Sequence, residues 1–205
     1  MPRVIVIGAG AAGSMAAIFA ARGGAETILL EGSPDGGREI LISGGGRCNI
    51  LPILVDEARY ITDSSPNLLR KMLRAWPVGE QRAFFETDLG IPLAEERELN
   101  KLFPASNRAR DVRDGLLTAA KSAGVRVLHG QRVVGIEPTD GGWRVDIGDS
   151  ASMTGDRVIL ATGGLSVPAT GSDGTGLRML SQLGYKMHER YAALTPITAP
   201  PSSYT

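Results

Sequence analysis

Cysteine is nearly missing from this sequence, with one residue, Cys48, in 205. A single thiol excludes an internal disulfide and a CxxC redox pair. Histidine is scarce too, and His129 and His188 share no ligand spacing with each other or with Cys48, so no metal is assigned. Net charge is absent: 22 Lys and Arg stand against 22 Asp and Glu. No long-range field therefore draws the chain to nucleic acid or to an anionic membrane. Apolar runs fall far short of the roughly 20 residues that cross a bilayer. The opening MPRVIVIGAG has neither the basic start nor the continuous apolar core of a secretion signal. The expectation is a cytoplasmic, globular protein with one sizeable core, or one core and a small subdomain.

What the sequence has in excess is glycine, at 27 of 205 residues, where roughly 7% is usual. The glycines cluster where strand or helix patterns end, as in GAGAAG at 8–13, GGG at 44–46 and GG at 163–164. They punctuate structure and do not form a linker. The run RVIVI (3–7) reads as a strand buried on both faces, residues 11–22 as an alanine-rich helix stopped by Gly23 and Gly24, and TILL (27–30) as a second buried strand. Strand, glycine turn, helix and strand within about 30 residues make one right-handed βαβ unit.

Apolar residues at helical spacing predict helices over 67–76 and 79–89, an inserted helical hairpin within about 52–100. A further helix is expected over 109–123, with Ser106 as a nearby cap and with Arg108, Arg110 and Arg113 around its start, either on a solvated face or as receivers of an anionic substrate or cofactor phosphate. Then come VRVLHG, RVVGIEPT, WRVDIG and DRVILATGG. The first and last of these join the parallel sheet, and those between form an antiparallel meander over about 131–157. One more helix is expected over 176–183.

Gly8, Gly10 and Gly13 form GxGxxG after a strand and at the opening of a helix. The first allows the tight turn, the second lets backbone approach a pyrophosphate, and the third lets the helix pack closely. The helix start supplies free N–H groups and a positive dipole end. Glu31 lies 18 residues after Gly13 at the end of the second strand, where a carboxylate accepts both hydroxyls of an adenosine ribose and repels a 2′-phosphate. This fingerprint serves FAD and NAD alike, because both carry an ADP moiety.

Further motifs extend the pattern: GREILISGGGRCN at 37–49, KLFPASNRARDVRDGL at 101–116, VILATGG at 158–164, GSDGTG at 171–176 and ALTPI at 193–197. In this order they resemble a family of bacterial FAD-dependent flavoproteins that includes aminoacetone oxidase and a bile-acid dehydro-steroid reductase. That family lies within the glutathione-reductase-like and fumarate-reductase-like flavin proteins. The resemblance implies a Rossmann-like α/β FAD-binding domain of glutathione-reductase type, with parallel sheet, antiparallel β-meander and helical insertion, over residues 1–190. It implies that Ser43, Gly44, Gly45, Gly46, Arg47, Cys48 and Asn49 lie beside the flavin, with Arg47 as a cation near phosphate or flavin oxygen. It also implies that the backbone of Ala161, Thr162, Gly163 and Gly164 touches the FAD, and that the backbone of Val133 meets the adenine. With Gly8, Gly10, Ala11, Ala12, Gly13, Glu31, Gly32 and Arg38 these are the candidate cofactor residues. Cys48 reads as a small apolar filler beside the cofactor, with a thiol acting on substrate or flavin as the other reading, and no catalytic acid or base is assigned.

The chain departs from the family at Ile50, Leu51 and Pro52, where members carry a threonine and an asparagine. In the family, ALTPI leads into a second, largely β, substrate domain, and a last segment caps the flavin. Residues 191–205 read as the start of such a domain, or a tail. The function implied is hydride transfer between a small organic substrate and flavin N5. Other readings of the same residues are an NAD-dependent dehydrogenase, a non-catalytic nucleotide-binding remnant, and one half of a split enzyme that needs a separate carboxyl-terminal polypeptide.

Overall fold

A computed structural model describes residues 1–191 of the chain; the ALTPI motif lies outside the described residues. The chain runs β1 (Arg3–Ile7), α1 (Ala11–Arg22), β2 (Glu26–Leu30), α2 (Arg38–Ile42), β3 (Leu51–Pro52), α3 (Pro66–Ala75), α4 (Val78–Ala83), β4 (Leu93–Glu96) and β5 (Lys101–Pro104). It continues α5 (Ala109–Ser122), β6 (Arg126–Leu128), β7 (Val133–Thr139), β8 (Gly142–Ile147), β9 (Ala151–Gly155), β10 (Arg157–Leu160) and α6 (Thr175–Gln182). β10, β1, β2 and β6 form a parallel sheet in that order. Val4 sits opposite Thr27 on β2 and Arg157 on β10.

Beyond Arg3 and Glu26 at their starts, β1 and β2 are buried and dominated by Val, Ile and Leu, because both sheet faces are covered. Successive side chains point to opposite faces. Val4, Val6 and Leu29 therefore pack with Ala17 and Ile18 of α1 and Val112, Leu116 and Ala120 of α5. Ile5, Ile7, Ile28 and Leu30 pack with Val133, Ile136, Val145 and Ile147 of the meander and with Met179 of α6. The result is three layers: helices, parallel sheet, meander. Ile5 is fully buried between the last two. Ile5→Ala should lower unfolding stability by about 3 kcal/mol, from lost transfer energy and the residual cavity, measured by urea denaturation.

The meander has three strands, β7, β8 and β9, all antiparallel, one more than the sequence pattern suggests. ASMTG on β9 is short and mostly small or polar, with Met153 alone packing toward the core, which leaves too weak a signal to mark a strand. The insertion is not purely helical. β3, β5 and β4 form a second antiparallel sheet with β5 in the middle, from two- to four-residue strands carrying Glu, Lys and Pro that escape a pattern search. α3 and α4 stand where helices were expected, and α4 runs on through a π-type turn over Phe84–Asp88. This part docks on α1 through Phe19, Trp76 and Phe84, with ring centroids 5.3 to 5.9 Å apart and edge-to-face or tilted geometry. An Arg22–Asp88 ion pair of 2.8 Å lies beside them.

Ser106 is not the cap of α5. Arg108 holds that position, and Ser106 Oγ accepts its backbone N–H at 3.3 Å. Arg113, expected on a solvated face, is buried. Its Nη1 donates to the Gly36 carbonyl at 3.4 Å, and its Nε pairs with Asp114. The reason is that α5 packs on α2, which places position 113 beneath the loop leading into α2. Arg108 and Arg110 are exposed.

Candidate dinucleotide-binding site

The carboxyl ends of β1, β2 and β10 open into a cavity of about 770 Å³. This is where open α/β sheets receive ligands, and the size suits a large organic ligand. The turn from β1 to α1 forms its floor. Gly8 has φ +102°, and a Cβ there would stand 2.5 Å from the Ala161 carbonyl oxygen. Gly13 lies behind the turn, where a Cβ would stand 1.8 Å from the Gly8 carbonyl oxygen. Close packing of α1 on β1 and β10 thus requires both. Gly10, Ala11 and Ala12 face the cavity. No side chain caps α1, and its first turn carries no acidic residue, so its free N–H groups and positive dipole end remain for an anion.

Glu31 closes β2 and lines the same cavity. Its Oε2 accepts the Ala9 N–H and its Oε1 the Ser33 N–H, both at 2.7 Å. Its backbone is held as well, since its N–H reaches the Leu128 carbonyl and its own carbonyl accepts from Gln131. The carboxylate is fixed in place, with lone pairs left for ligand hydroxyls. Gly32, Arg38 and Val133 line the wall beside it, and Arg38 pairs with Asp35 at 2.7 Å.

Ser43, Cys48 and Asn49 also line the cavity. Cys48 is buried with φ +64°, and burial pushes its thiol up while a hydrogen bond with Ser43 opposes that rise. It is therefore protonated at neutral pH and a weak nucleophile. Gly44, Gly45, Gly46 and Arg47 do not line the cavity. The three glycines turn left-handed and carry Arg47 toward the small antiparallel sheet. There its guanidinium sits 4.1 Å from the Phe103 ring centroid and pairs with Glu96. A cation–π contact and a carboxylate hold this arginine away from where a phosphate cation was expected.

Ala161, Thr162 and Gly163 form the opposite wall, while Gly164 lies off it and accepts the Gly174 N–H at 2.9 Å. The cavity also gathers residues that the motifs do not single out, among them Ser33, Glu39, Gln131, Arg132 and Asp173. Glu39 ties α2 to the loop after β10. It accepts from Ser172 Oγ at 2.7 Å and from the Ser166 hydroxyl. Ser33, Gln131, Arg132 and Asp173 sit outside the helices and strands, where no periodicity marks them, while Glu39 lies on α2; Glu39 and Asp173 fall inside quoted motifs that gave them no role.

Asp173 accepts the Thr175 N–H at 2.9 Å and pairs with Arg132 at 2.8 Å. The Thr175 hydroxyl and N–H, with Arg132 behind them, hold its carboxyl at about 2. A folded-state value below the unfolded one stabilises the chain above pH ~4 and ceases to do so as pH falls toward ~2. Asp173→Asn should lower Tm at pH 7 and flatten that acid limb, as read from Tm against pH between 2 and 5.

A model of the HI0933-like protein Rossmann domain matches residues 2–192. The chain belongs to this family. The HI0933-like chain is 31% identical over 199 residues to a 3-dehydro-bile acid delta(4,6)-reductase of Clostridium scindens, covering 96% of this chain and 47% of that protein. It is 28% identical to a ribosomal RNA dihydrouridine synthase of Escherichia coli, covering 95% and 47%. The chain thus spans about half the length of the curated relatives it matches. Among solved structures, Thermovibrio ammonificans THI4 aligns with TM-score 0.55 at 15% identity, covering 90% of this chain and 64% of that one. A 3-ketosteroid-delta4-(5alpha)-dehydrogenase from Rhodococcus jostii aligns with TM-score 0.53 at 21% identity, covering 78% and 45%. At such identities the likeness concerns the fold, a Rossmann-like α/β domain. No helix among the described residues is long and apolar enough to cross a membrane.

Proposed function

We propose that residues 1–190 form the FAD-binding domain of an oxidoreductase that moves hydride between a small organic substrate and flavin N5. The observation that carries this reading is the junction of an uncapped α1 N-terminus with a carboxylate fixed at the end of β2, inside one cavity of dinucleotide size. The residues present suit the cofactor. The N–H groups of the α1 start receive the pyrophosphate, Gly10 gives it room, and Glu31 accepts the adenosine ribose hydroxyls and disfavours a 2′-phosphate. Cys48 and Asn49 stand where the flavin end would lie, and the protonated thiol fills space there. Bound FAD supplies the hydride chemistry itself, and the protein orients it.

The flat charge balance supports a small substrate over a nucleic acid. The relatives named above act on different substrates by name, so this class rests on the chain's own charge. Because the relatives are about twice as long, the proposed activity belongs to the chain together with the remaining half, in the same polypeptide or a separate one. The test is the absorbance spectrum of the purified chain during titration with FAD, with NAD in parallel. Saturable binding with flavin bands near about 375 and 450 nm is expected. Preferential binding of NAD would replace this reading with a nicotinamide dehydrogenase.

A further inference from the structure

A second cavity, of about 310 Å³, adjoins the first and shares Asn49 and Ile50 with it. Its apolar wall is Ile50, Leu51, Pro52 and Leu99, and its charged groups are Arg59 and Lys101. No carboxylate lines it. Glu96, opposite Lys101 on β4, is held by Arg47, and Arg59 makes a loose, exposed ion pair with Asp56 at 3.9 Å, whereas Lys101 has no ion pair among the described residues. Asn100 shapes the rim. It adopts φ +53°, and its side-chain amide clamps Leu54 by accepting its N–H at 2.9 Å and donating to its carbonyl at 3.0 Å. That fixes the turn between β3 and the Arg59 segment. The cavity is thus a preformed apolar slot with two cations at its mouth, opening beside the cofactor cleft.

We propose that this cavity binds a small organic acid, its anionic end on Lys101 and Arg59 and its carbon skeleton against Ile50, Leu51, Pro52 and Leu99. Apolar walls with a few convergent charged groups are the usual composition of a small-molecule site, and an unpaired Lys101 beside a loosely paired Arg59 is complementary to an anion. Ile50 and Leu51 are partly buried against the core, and the surface that they and Pro52 leave in the cavity offers a ligand's hydrocarbon an apolar wall. That this ligand is the substrate rests on the oxidoreductase reading; the binding site stands on the cavity alone.

The probe is 2-naphthoate, titrated into the purified chain by calorimetry, with 2-naphthyl phosphate and neutral 2-naphthamide as parallel arms and an FAD titration on the same sample. Naphthoate should saturate with Kd on the order of 0.1–1 mM, and the amide should bind on the order of tenfold more weakly. Tighter binding of the phosphate than of the carboxylate would assign the anion as a phosphate ester, the reverse as a carboxylic acid. Lys101→Gln should weaken naphthoate on the order of fivefold to tenfold, and Leu99→Trp, at a half-exposed position that tolerates bulk, should fill the slot and abolish binding. Neither change should move Tm or FAD affinity. Equal binding of acid and amide, or unchanged naphthoate affinity in both variants, overturns the proposal. Naphthoate binding without FAD binding sinks the cofactor reading and leaves this site standing; FAD binding without naphthoate binding does the opposite.

Discussion

Gly13→Ala should destabilise the folded chain by roughly 3 kcal/mol, the upper end for forced overpacking, and remove FAD binding with it. The added methyl would stand 1.8 Å from the Gly8 carbonyl oxygen and 3.2 Å from Cβ of Ala161. Backbone and a short side chain cannot swing aside, so α1 must retreat from both β1 and β10. Gly10→Ala is the control that separates packing from ligand contact. Gly10 has φ −74° and ψ −171°, ordinary extended backbone, and a Cβ there meets no atom within 4 Å. Its stability should stay within about 0.5 kcal/mol of the parent, while FAD binding weakens because the methyl occupies the space a pyrophosphate needs. Urea unfolding and flavin titration on both variants measure the two effects independently. Equal losses of stability would refute the assignment of separate roles.

Glu31→Ala should weaken FAD on the order of 100-fold, since hydrogen bonds to a charged group contribute about 1.5–3 kcal/mol each. Two costs combine. The ribose hydroxyls lose their acceptor, and the N–H groups of Ala9 and Ser33, each 2.7 Å from a carboxylate oxygen, lose theirs. Glu31→Gln separates them, because its one carbonyl oxygen restores one backbone bond and leaves the ribose with a poorer acceptor. An intermediate Kd is expected for Gln by fluorescence quenching of the flavin. An unchanged Kd in the alanine variant would place the adenosine elsewhere.

The parallel sheet and its helices were legible because local and global signals agree there. RVIVI and TILL carry the unbroken apolar runs Val4–Ile7 and Ile28–Leu30, as expected of strands covered on both faces. Residues 11–22 and 109–122 carry helical periodicity between clear stops. The small sheet was hidden for a physical reason. LAEE and KLFP are held by pairing with one another, and Glu95, Glu96 and Lys101 show no apolar alternation. The burial of Arg113 was equally hidden, because it depends on α5 meeting α2 and not on anything within α5. Around the candidate cleft, spacing marked Gly8, Gly10 and Glu31, which line one cavity, while Gly44, Gly45, Gly46 and Gly164 lie off it. Arg47 misled, since a sequence does not show that Phe103 and Glu96 compete for its guanidinium. Glu39 acts through partners far away in the chain, as with its Ser172 bond across 133 residues, and Asp173 adds to its neighbour Thr175 an ion pair with Arg132 across 41 residues; no local pattern encodes such distant meetings.

β1 lies between strands of very different origin, with β2 about 20 residues away and β10 more than 150. The βαβ unit can close early and locally, whereas β10 carries the loop-closure entropy of nearly the whole domain. Gly8 meets Ala161 only when that last strand arrives. The cleft is therefore among the final things to form during folding, so acquisition of the ligand times the end of folding, and a chain interrupted within β10 would keep its first turn yet have no pocket to fill.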